Sequence, residues 1–271
     1  MHEFQKSAMA PLRFAAEANQ ALLRHPMNPV SYTPMGRAMA ASLEIFEANT
    51  RDYQKPAFGL HATTIDGEDV AVHEEVVSRL PFGQLKRFVR AGDEEGAFGH
   101  PRLLIVAPLS GHYATLLRDT VRAMLPDHDV YITDWRDAAL VPLLEGGFDL
   151  DDYIDYLMEF LAVVGPGCHA LAVCQPSVPL LAAVSFLAAA GDEIVPRSMT
   201  LMGGPIDTRI NPTTPNDLAQ NHSLDWFERT VVQRVPAPNP GFMRRVYPGF
   251  VQLSGFMTMN LDRHVGAHMR L

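Results

Sequence analysis

One apolar stretch, Ala170 to Ala190, constrains the fold of this chain more than any other part of its 271 residues. Its length and composition are those of a membrane-spanning helix. Polar residues and two prolines interrupt it at positions 175–179, and proline inside a helix removes a hydrogen bond and clashes with the preceding turn. We therefore predict a buried strand, a sharp turn and a buried helix here, and no membrane span.

Short apolar segments of the same kind alternate with helical patterns along the middle of the chain. The predicted strands are Arg102–Ala107, Asp129–Thr133, His169–Val173 and Ser198–Met202. The predicted helices between and after them are Tyr113–Met124, Asp149–Val164 and Ser177–Ala190. Antiparallel strands around the turn Asp66–Gly67, over 60–65, 70–77 and 84–89, form one edge of the sheet. This alternation predicts the α/β class, with a mostly parallel sheet covered on both faces.

Three regions follow from the pattern. Residues 1–55 form an N-terminal extension of two helices, separated by the prolines of His25–Pro29. Residues 56–207 form the α/β core. In residues 208–271 prolines and aromatic residues replace the strand–helix rhythm, and we expect a helical cap or insertion with an apolar face.

Composition excludes several classes of function. The net charge of −9 and the pI of about 5.6 argue against nucleic-acid binding. The two cysteines, Cys168 and Cys174, lie six residues apart, so we expect free thiols and no zinc framework. The histidines show no metal-binding spacing, and we expect neither a metal nor a cofactor. The first six residues lack the apolar core of a signal peptide, so a cytoplasmic location is expected.

Cys174 is the leading candidate for a catalytic residue. It lies between an apolar strand and an apolar helix, the setting of a nucleophile elbow, in which the helix N-terminus favours a thiolate. Ala172 and Pro176 stand where the usual motif has glycines. The alternative is that Cys174 is a small buried hydrophobe, and for Cys168 we expect that structural role.

An oxyanion hole needs two backbone N–H groups beside the nucleophile. We predict that Gln175, which follows the nucleophile, supplies one, and that Ser110, in the loop after the strand Arg102–Ala107, supplies the other. The alternative for residues 108–113 is a plain turn. Asp134, Asp151 and Asp152 are interpreted as strand-end and helix N-terminal charges.

Several segments together resemble one family, the intracellular polyhydroxyalkanoate (polyhydroxybutyrate) depolymerases. They are Pro108–Arg118, Thr133–Asp137, Gly147–Tyr153, Ala172–Pro179 and Met202–Asp207. The polyhydroxyalkanoate synthases are similar, but their cysteine sits between glycines, so Ala172 and Pro176 favour a depolymerase. The resemblance implies an α/β-hydrolase fold, Cys174 as nucleophile, an acyl-thioester intermediate, and a polyester substrate in cytoplasmic storage granules.

The general base is not evident from the sequence. In α/β-hydrolases the acid and the histidine follow the nucleophile on later strands, and none is predicted after Met202. We expect the core to lack its C-terminal part, with acid and histidine supplied by a complementing segment beyond Leu271. The alternative keeps the site within this chain, with Asp207 as acid and His264 or His268 as base. Two other functions stay open: an inactive granule- or partner-binding fragment, and a synthase-like acyltransferase.

Overall fold

The chain divides into two units, residues 1–56 and 57–271. The computed structural model describes residues 15, 18, 19, 21–25, 27–33, 35, 36, 39, 40, 43, 55–93, 96–109, 111–249, 251 and 252. In the first unit the backbone is helical at 15, 18, 19 and 21–24, and again at 35, 36, 39, 40 and 43, and the extension of two helices over residues 1–55 stays a prediction. The 3-10 helix Pro29–Tyr32 lies between them in the sequence, and the Asn28 side chain caps it by accepting from the Val30 N–H.

Seven strands of the second unit form one mixed sheet. They are β1 (Ala62–Ile65), β2 (Glu68–Leu80), β3 (Gly83–Arg90), β4 (Arg102–Val106), β5 (Asp129–Trp135), β6 (His169–Val173) and β7 (Ser198–Met202). Their order in the sheet is β1-β2-β3-β5-β4-β6-β7. The first three strands and the β3–β5 pair are antiparallel, whereas β5, β4, β6 and β7 run parallel. The predicted α/β class is therefore confirmed.

The bounds of five α-helices of this unit are described, and the backbone is also helical at residues 249, 251 and 252. The five helices are α1 (Arg118–Met124), α2 (Leu150–Val164), α3 (Ser177–Ala190), α4 (Thr214–Asn221) and α5 (Leu224–Thr230). The prediction of one helix over Tyr113–Met124 is wrong at its start, because Ala114–Leu117 is a 3-10 helix that precedes α1. Two further 3-10 helices, Ala138–Leu140 and Leu143–Glu145, lie in the connection after β5.

Three of the parallel strands, β4, β5 and β6, are covered on both faces, whereas the edge strand β7 has exposed residues at alternate positions. On one face Leu104, Val106 and Ala172 pack with side chains of α2 and α3, such as Leu157 and Leu180. On the other face alternate residues of the same strands pack with the 3-10 helix before α1, with α1 itself and with Phe58. Because successive side chains of a strand point to opposite faces, the apolar runs that predicted these strands fill both layers.

Local capping fixes where α2 begins and where α2 and α3 end. Asp149 accepts from the backbone N–H groups of Asp151 and Asp152, and the Asp152 carboxylate accepts from the Asp149 N–H. This reciprocal capping box satisfies donors that a helix N-terminus leaves free. Gly165 and Gly191 follow the last residues of α2 and α3 at positive φ. The predicted structural role of the two first-turn aspartates is confirmed.

A short β-ribbon follows α5 and was not predicted. Its strands are β8 (Gln233–Arg234) and β9 (Arg245–Val246), which pair antiparallel. The buried Arg244 guanidinium donates to the carbonyls of Gly146, Val141 and Pro142, in the loop after β5, and lies 4.8 Å from the ring centroid of Phe82. The described part of the predicted cap is thus two helices and a ribbon fastened to the core.

Candidate active site

The connections that leave the neighbouring strands β4 and β6 run to opposite faces of the sheet. The chain after β4 enters the layer of α1, whereas the chain after β6 enters α3 in the layer of α2. Strands β4 and β6 are parallel neighbours, so the region outside their carboxyl ends, called the crevice below, is a topological switch point of the sheet. Ligands of open α/β sheets bind at such a switch point, and Cys174 lies there directly after β6.

Cys174 adopts the backbone conformation of a nucleophile elbow. It separates Val173, the last residue of β6, from the turn that leads to α3. Its φ is +68°, a left-handed conformation that costs an L-residue free energy and is found at functional turns. The residue is exposed and its thiol is free. A sharp strand–turn–helix connection that exposes a thiol is the geometry that a nucleophile requires.

The end of β7 holds the elbow from one side. The Cys174 N–H donates to the Met202 carbonyl at 2.8 Å, and the Ser177 N–H donates to the Cys174 carbonyl at 3.1 Å. Gly204 packs so closely that a Cβ there would lie 2.1 Å from both Cβ and Oγ of Ser177. These contacts fix the strained turn in place.

Gln175 brings two separate groups to the crevice. Within the described part of the chain its backbone N–H donates to no other group, as an oxyanion donor must. Its side-chain Oε1 accepts from the Leu109 N–H at 3.0 Å, which links the elbow to the loop after β4. Ser110, the other predicted donor, lies outside the described residues.

Strand β5 holds the end of β4. The Ala107 N–H donates to Thr133 Oγ1 at 2.9 Å, and the Ala107 carbonyl accepts from Trp135 Nε1 at 2.8 Å. The indole is itself fixed by aromatic packing, with the ring of Tyr153 edge-on at 4.7 Å between centroids. Loss of solvent on burial raises the pKa of Tyr153 well above its ordinary value. The backbone that leads into Leu109 is therefore held on both sides.

The acid and base candidates are placed as follows. Asp207 lies in the turn after β7, and its carboxylate accepts from Arg209 Nε and Nη2, each at 2.8 Å. The bonds from Arg209 hold the pKa of Asp207 below its ordinary value. His264 and His268 lie outside the described residues, so their relation to Asp207 and Cys174 stays a prediction.

Two other predicted side chains have structural roles. Cys168 is buried just before β6, and this burial raises the pKa of its thiol. Asp134 is buried near the end of β5, where it accepts from Gln84 Nε2 at 2.9 Å and lies 3.6 Å from Lys86 Nζ. Neither prediction of a structural role needs revision.

The sequence did not indicate how close the chain near residue 249 comes to the crevice. A Cβ on Gly249 would lie 3.6 Å from the Cα of Gly111, in the loop after β4. The recurrence of Gly-Phe pairs in this region was the available signal, but it carried no information about the contact. Gly249 therefore lies against the loop after β4.

Other features of the described chain offer no second chemical site. No group of three or more His, Cys, Asp and Glu side chains capable of holding a metal occurs among the described residues. No helix in the same ranges is both long and apolar enough to cross a membrane. A surface depression of about 350 Å³ lies between α5 and the β8–β9 ribbon. Four of its charged residues form two ion pairs, Arg229 with Asp225 at 3.0 Å and Arg245 with Glu228 at 2.9 Å, and Arg234 donates to the Met243 carbonyl at 3.2 Å.

Comparison with known proteins adds a family match at the C-terminal end. Residues 203–271 match the family described as "PHB de-polymerase C-terminus", which agrees with the resemblance found in the sequence. The matched segment contains Gly204, which packs on the elbow, and Asp207. No curated protein matches the sequence of this chain.

Three solved structures are similar to parts of the fold. The first is a naproxen esterase (carboxylesterase NP) from Bacillus subtilis, with 16% identity, a TM-score of 0.37, and coverage of 64% of this chain and 59% of that one. The second is an α/β-hydrolase from the metagenome of Lake Arreo, Spain, with 15% identity, a TM-score of 0.35, and coverage of 71% of this chain and 58% of that one. The third is a bacterial membrane phospholipase A, with 12% identity, a TM-score of 0.41, and coverage of 100% of this chain and 75% of that one. The chain therefore spans less than two thirds of the length of the first two enzymes.

Proposed function

We propose that this chain, whose residues 203–271 belong to the PHB de-polymerase C-terminus family, hydrolyses the ester bonds of poly(3-hydroxybutyrate) with Cys174 as nucleophile. The observation that carries the proposal is the elbow itself. An exposed thiol stands at φ +68° between the buried strand β6 and the helix α3, which is buried along one face only, in the crevice where the connections after β4 and β6 diverge. Exposure and backbone strain together distinguish Cys174 from Cys168, which is buried.

The chemistry follows from the groups at the elbow. The Cys174 thiolate attacks the ester carbonyl carbon, and the carbonyl oxygen takes up negative charge facing the Gln175 N–H. Collapse of this intermediate expels the alcohol, which takes a proton from the general acid, and leaves an acyl-thioester on Cys174. Water then attacks the thioester while the base removes its proton. The carboxylic acid departs and the thiolate is regenerated.

The rim of the crevice suits an apolar polymer. Large apolar side chains with 43% to 101% of their surface exposed follow the carboxyl ends of the parallel strands: Tyr113 and Leu116 after β4, Leu143 and Leu144 after β5, and Met202 and Ile206 at the end of β7. Carboxyl ends of parallel strands share one edge of the sheet, so these side chains follow strands that end at the same edge as β6, which leads into Cys174. An exposed apolar rim of this kind marks a binding surface. It supports a polyester chain at a cytoplasmic granule surface as substrate.

The acid and base belong to the proposal as well. Asp207 stands after β7, where an acid would support a catalytic histidine, and the bonds from Arg209 keep its carboxylate ionised. His264 and His268 are the candidate bases within this chain, the alternative being a histidine supplied by a complementing segment. Replacement of each histidine by alanine, with release of 3-hydroxybutyrate from amorphous poly(3-hydroxybutyrate) as the assay, shows which of the two is required.

The test uses amorphous poly(3-hydroxybutyrate) granules and measures release of 3-hydroxybutyrate by the full chain. We expect Cys174→Ala and Cys174→Ser to lower the rate at least ~10³-fold, since removal of a nucleophile abolishes the covalent route. Cys168→Ala is the matched control, and we expect it to retain the parent rate. Unchanged product release by Cys174→Ala would reject the proposal.

A further inference from the structure

The Gln175 side chain joins two loops that must cooperate in ester hydrolysis. Its Oε1 accepts from the Leu109 N–H at 3.0 Å, although the two residues are 66 positions apart in the sequence. Leu109 belongs to the loop after β4, and Gln175 directly follows Cys174. The hydrogen bond therefore spans the crevice at the position of the nucleophile.

The β4 side of this bond is already rigid up to Ala107. Thr133 and Trp135 hold the two backbone groups of Ala107 at 2.9 and 2.8 Å. The elbow side is rigid too, since Met202 accepts from the Cys174 N–H at 2.8 Å. The Gln175 amide connects these two fixed points. A small displacement of either loop would move backbone donors relative to Cys174, and misplacement of about 1 Å costs catalysis ~10²-fold.

We infer that Gln175 is a positioning residue whose side-chain carbonyl fixes the backbone of Leu109 against the elbow. This role is separate from that of its backbone N–H, which any residue at position 175 except proline supplies. The inference rests on the proposed ester hydrolysis at Cys174. It explains why an amide suits the position: an amide oxygen accepts the N–H without adding negative charge beside a thiolate and a developing oxyanion.

Two substitutions by side chains of similar length distinguish the contribution of the Gln175 side-chain carbonyl from that of the rest of the side chain. Gln175→Met removes the strong acceptor, whereas Gln175→Glu keeps an acceptor oxygen and adds a negative charge. Gln220→Met, at an exposed glutamine of α4, is the matched control. Each full-length variant is assayed with 4-nitrophenyl butyrate, and Leu109 amide exchange is followed by hydrogen–deuterium exchange resolved to the residue.

For Gln175→Met we expect kcat to fall ~10- to 100-fold, KM to stay within about twofold, and the Leu109 amide to exchange at least ~10-fold faster. For Gln175→Glu we expect the Leu109 amide to stay protected. At the alkaline plateau of the pH–rate profile, the kcat of Gln175→Glu exceeds that of the methionine variant at least ~5-fold.

Equal Leu109 exchange in the parent and in Gln175→Met would overturn the inference. A kcat within twofold of the parent, or equal plateau kcat values for the two variants, would overturn it as well. Failure of the proposed function has a different signature, namely a parent chain with no esterase activity or a Cys174→Ala variant as active as the parent. The exchange measurements then still decide whether Gln175 holds Leu109.

Discussion

Gly204→Ala is expected to destabilise the elbow more than any ordinary glycine-to-alanine change. A Cβ at this position would lie 2.1 Å from Cβ and Oγ of Ser177 and 3.0 Å from the Cys174 carbonyl oxygen. Ser177 is fully buried at the first position of α3, so it has no space into which to move. Overpacking of a core costs about 1–3 kcal/mol, and contacts this short place the cost at the upper end, ~3 kcal/mol.

The assay is urea unfolding followed by tryptophan fluorescence, with Gly203→Ala and Ser177→Gly as companions. Gly203 has a φ of +63° but no atom within 4 Å of an added Cβ. Its alanine variant is therefore destabilised by backbone strain alone, ~1–2 kcal/mol. Adding Ser177→Gly to Gly204→Ala removes both 2.1 Å contacts. The double variant should therefore lose at least ~1 kcal/mol less free energy of unfolding than the sum of the losses in the two single variants.

Two results would refute this reasoning about the elbow. One is a free energy of unfolding for Gly204→Ala within about 0.5 kcal/mol of that of the parent, which is the range of neutral surface substitutions. The other is an additive double-mutant cycle, since residues in direct contact do not add. Either would mean that the end of β7 does not press on the start of α3.

Two further changes test the core around the site. Arg244→Met leaves the carbonyls of Gly146, Val141 and Pro142 without their donor, so we expect a loss of ~2–4 kcal/mol in urea unfolding; a loss below about 0.5 kcal/mol would contradict the anchoring of the ribbon. Burial first, and then the Asp129 charge, raise the pKa of Tyr131 from its ordinary value of 10.0 to about 12. The folded state thus favours neutral Tyr131, and this stabilisation is present below pH 10 and lost between pH 10 and pH 12. Tyr131→Phe should lessen the fall in stability between pH 9 and pH 11 by ~1 kcal/mol, and an unchanged fall would contradict it.

The best-predicted elements are those whose information lies in their own sequence. The bounds of His169–Val173, Ser177–Ala190 and Ser198–Met202 agree with the structure. Ser177–Ala190 and Ser198–Met202 are bounded by proline, glycine or a charged residue, and His169–Val173 is a continuous apolar run because it is a central parallel strand buried on both faces. The elbow was predicted for the same reason, because it is the short connection between two of them.

The elements that were missed depend on distant contacts. The ribbon strands β8 and β9 have two residues each and no hydrophobic pattern, and Arg244 fastens the ribbon to carbonyls about one hundred positions away in the sequence. The Gln175–Leu109 bond is a long-range pairing of the same kind. Periodicity and turn chemistry describe neighbours in sequence, so neither contact has a local signal.

The most direct test of the central claim is to observe the acyl group on Cys174. The full chain is mixed with a short 3-hydroxybutyrate oligomer, quenched in acid within the first turnovers, and analysed by intact mass and peptide mapping. We predict a mass increase of one acyl group, located on the peptide that contains Cys174, released by hydroxylamine and missing from Cys174→Ala. Hydrolysis without any adduct on Cys174, or an adduct on another residue, would contradict the account.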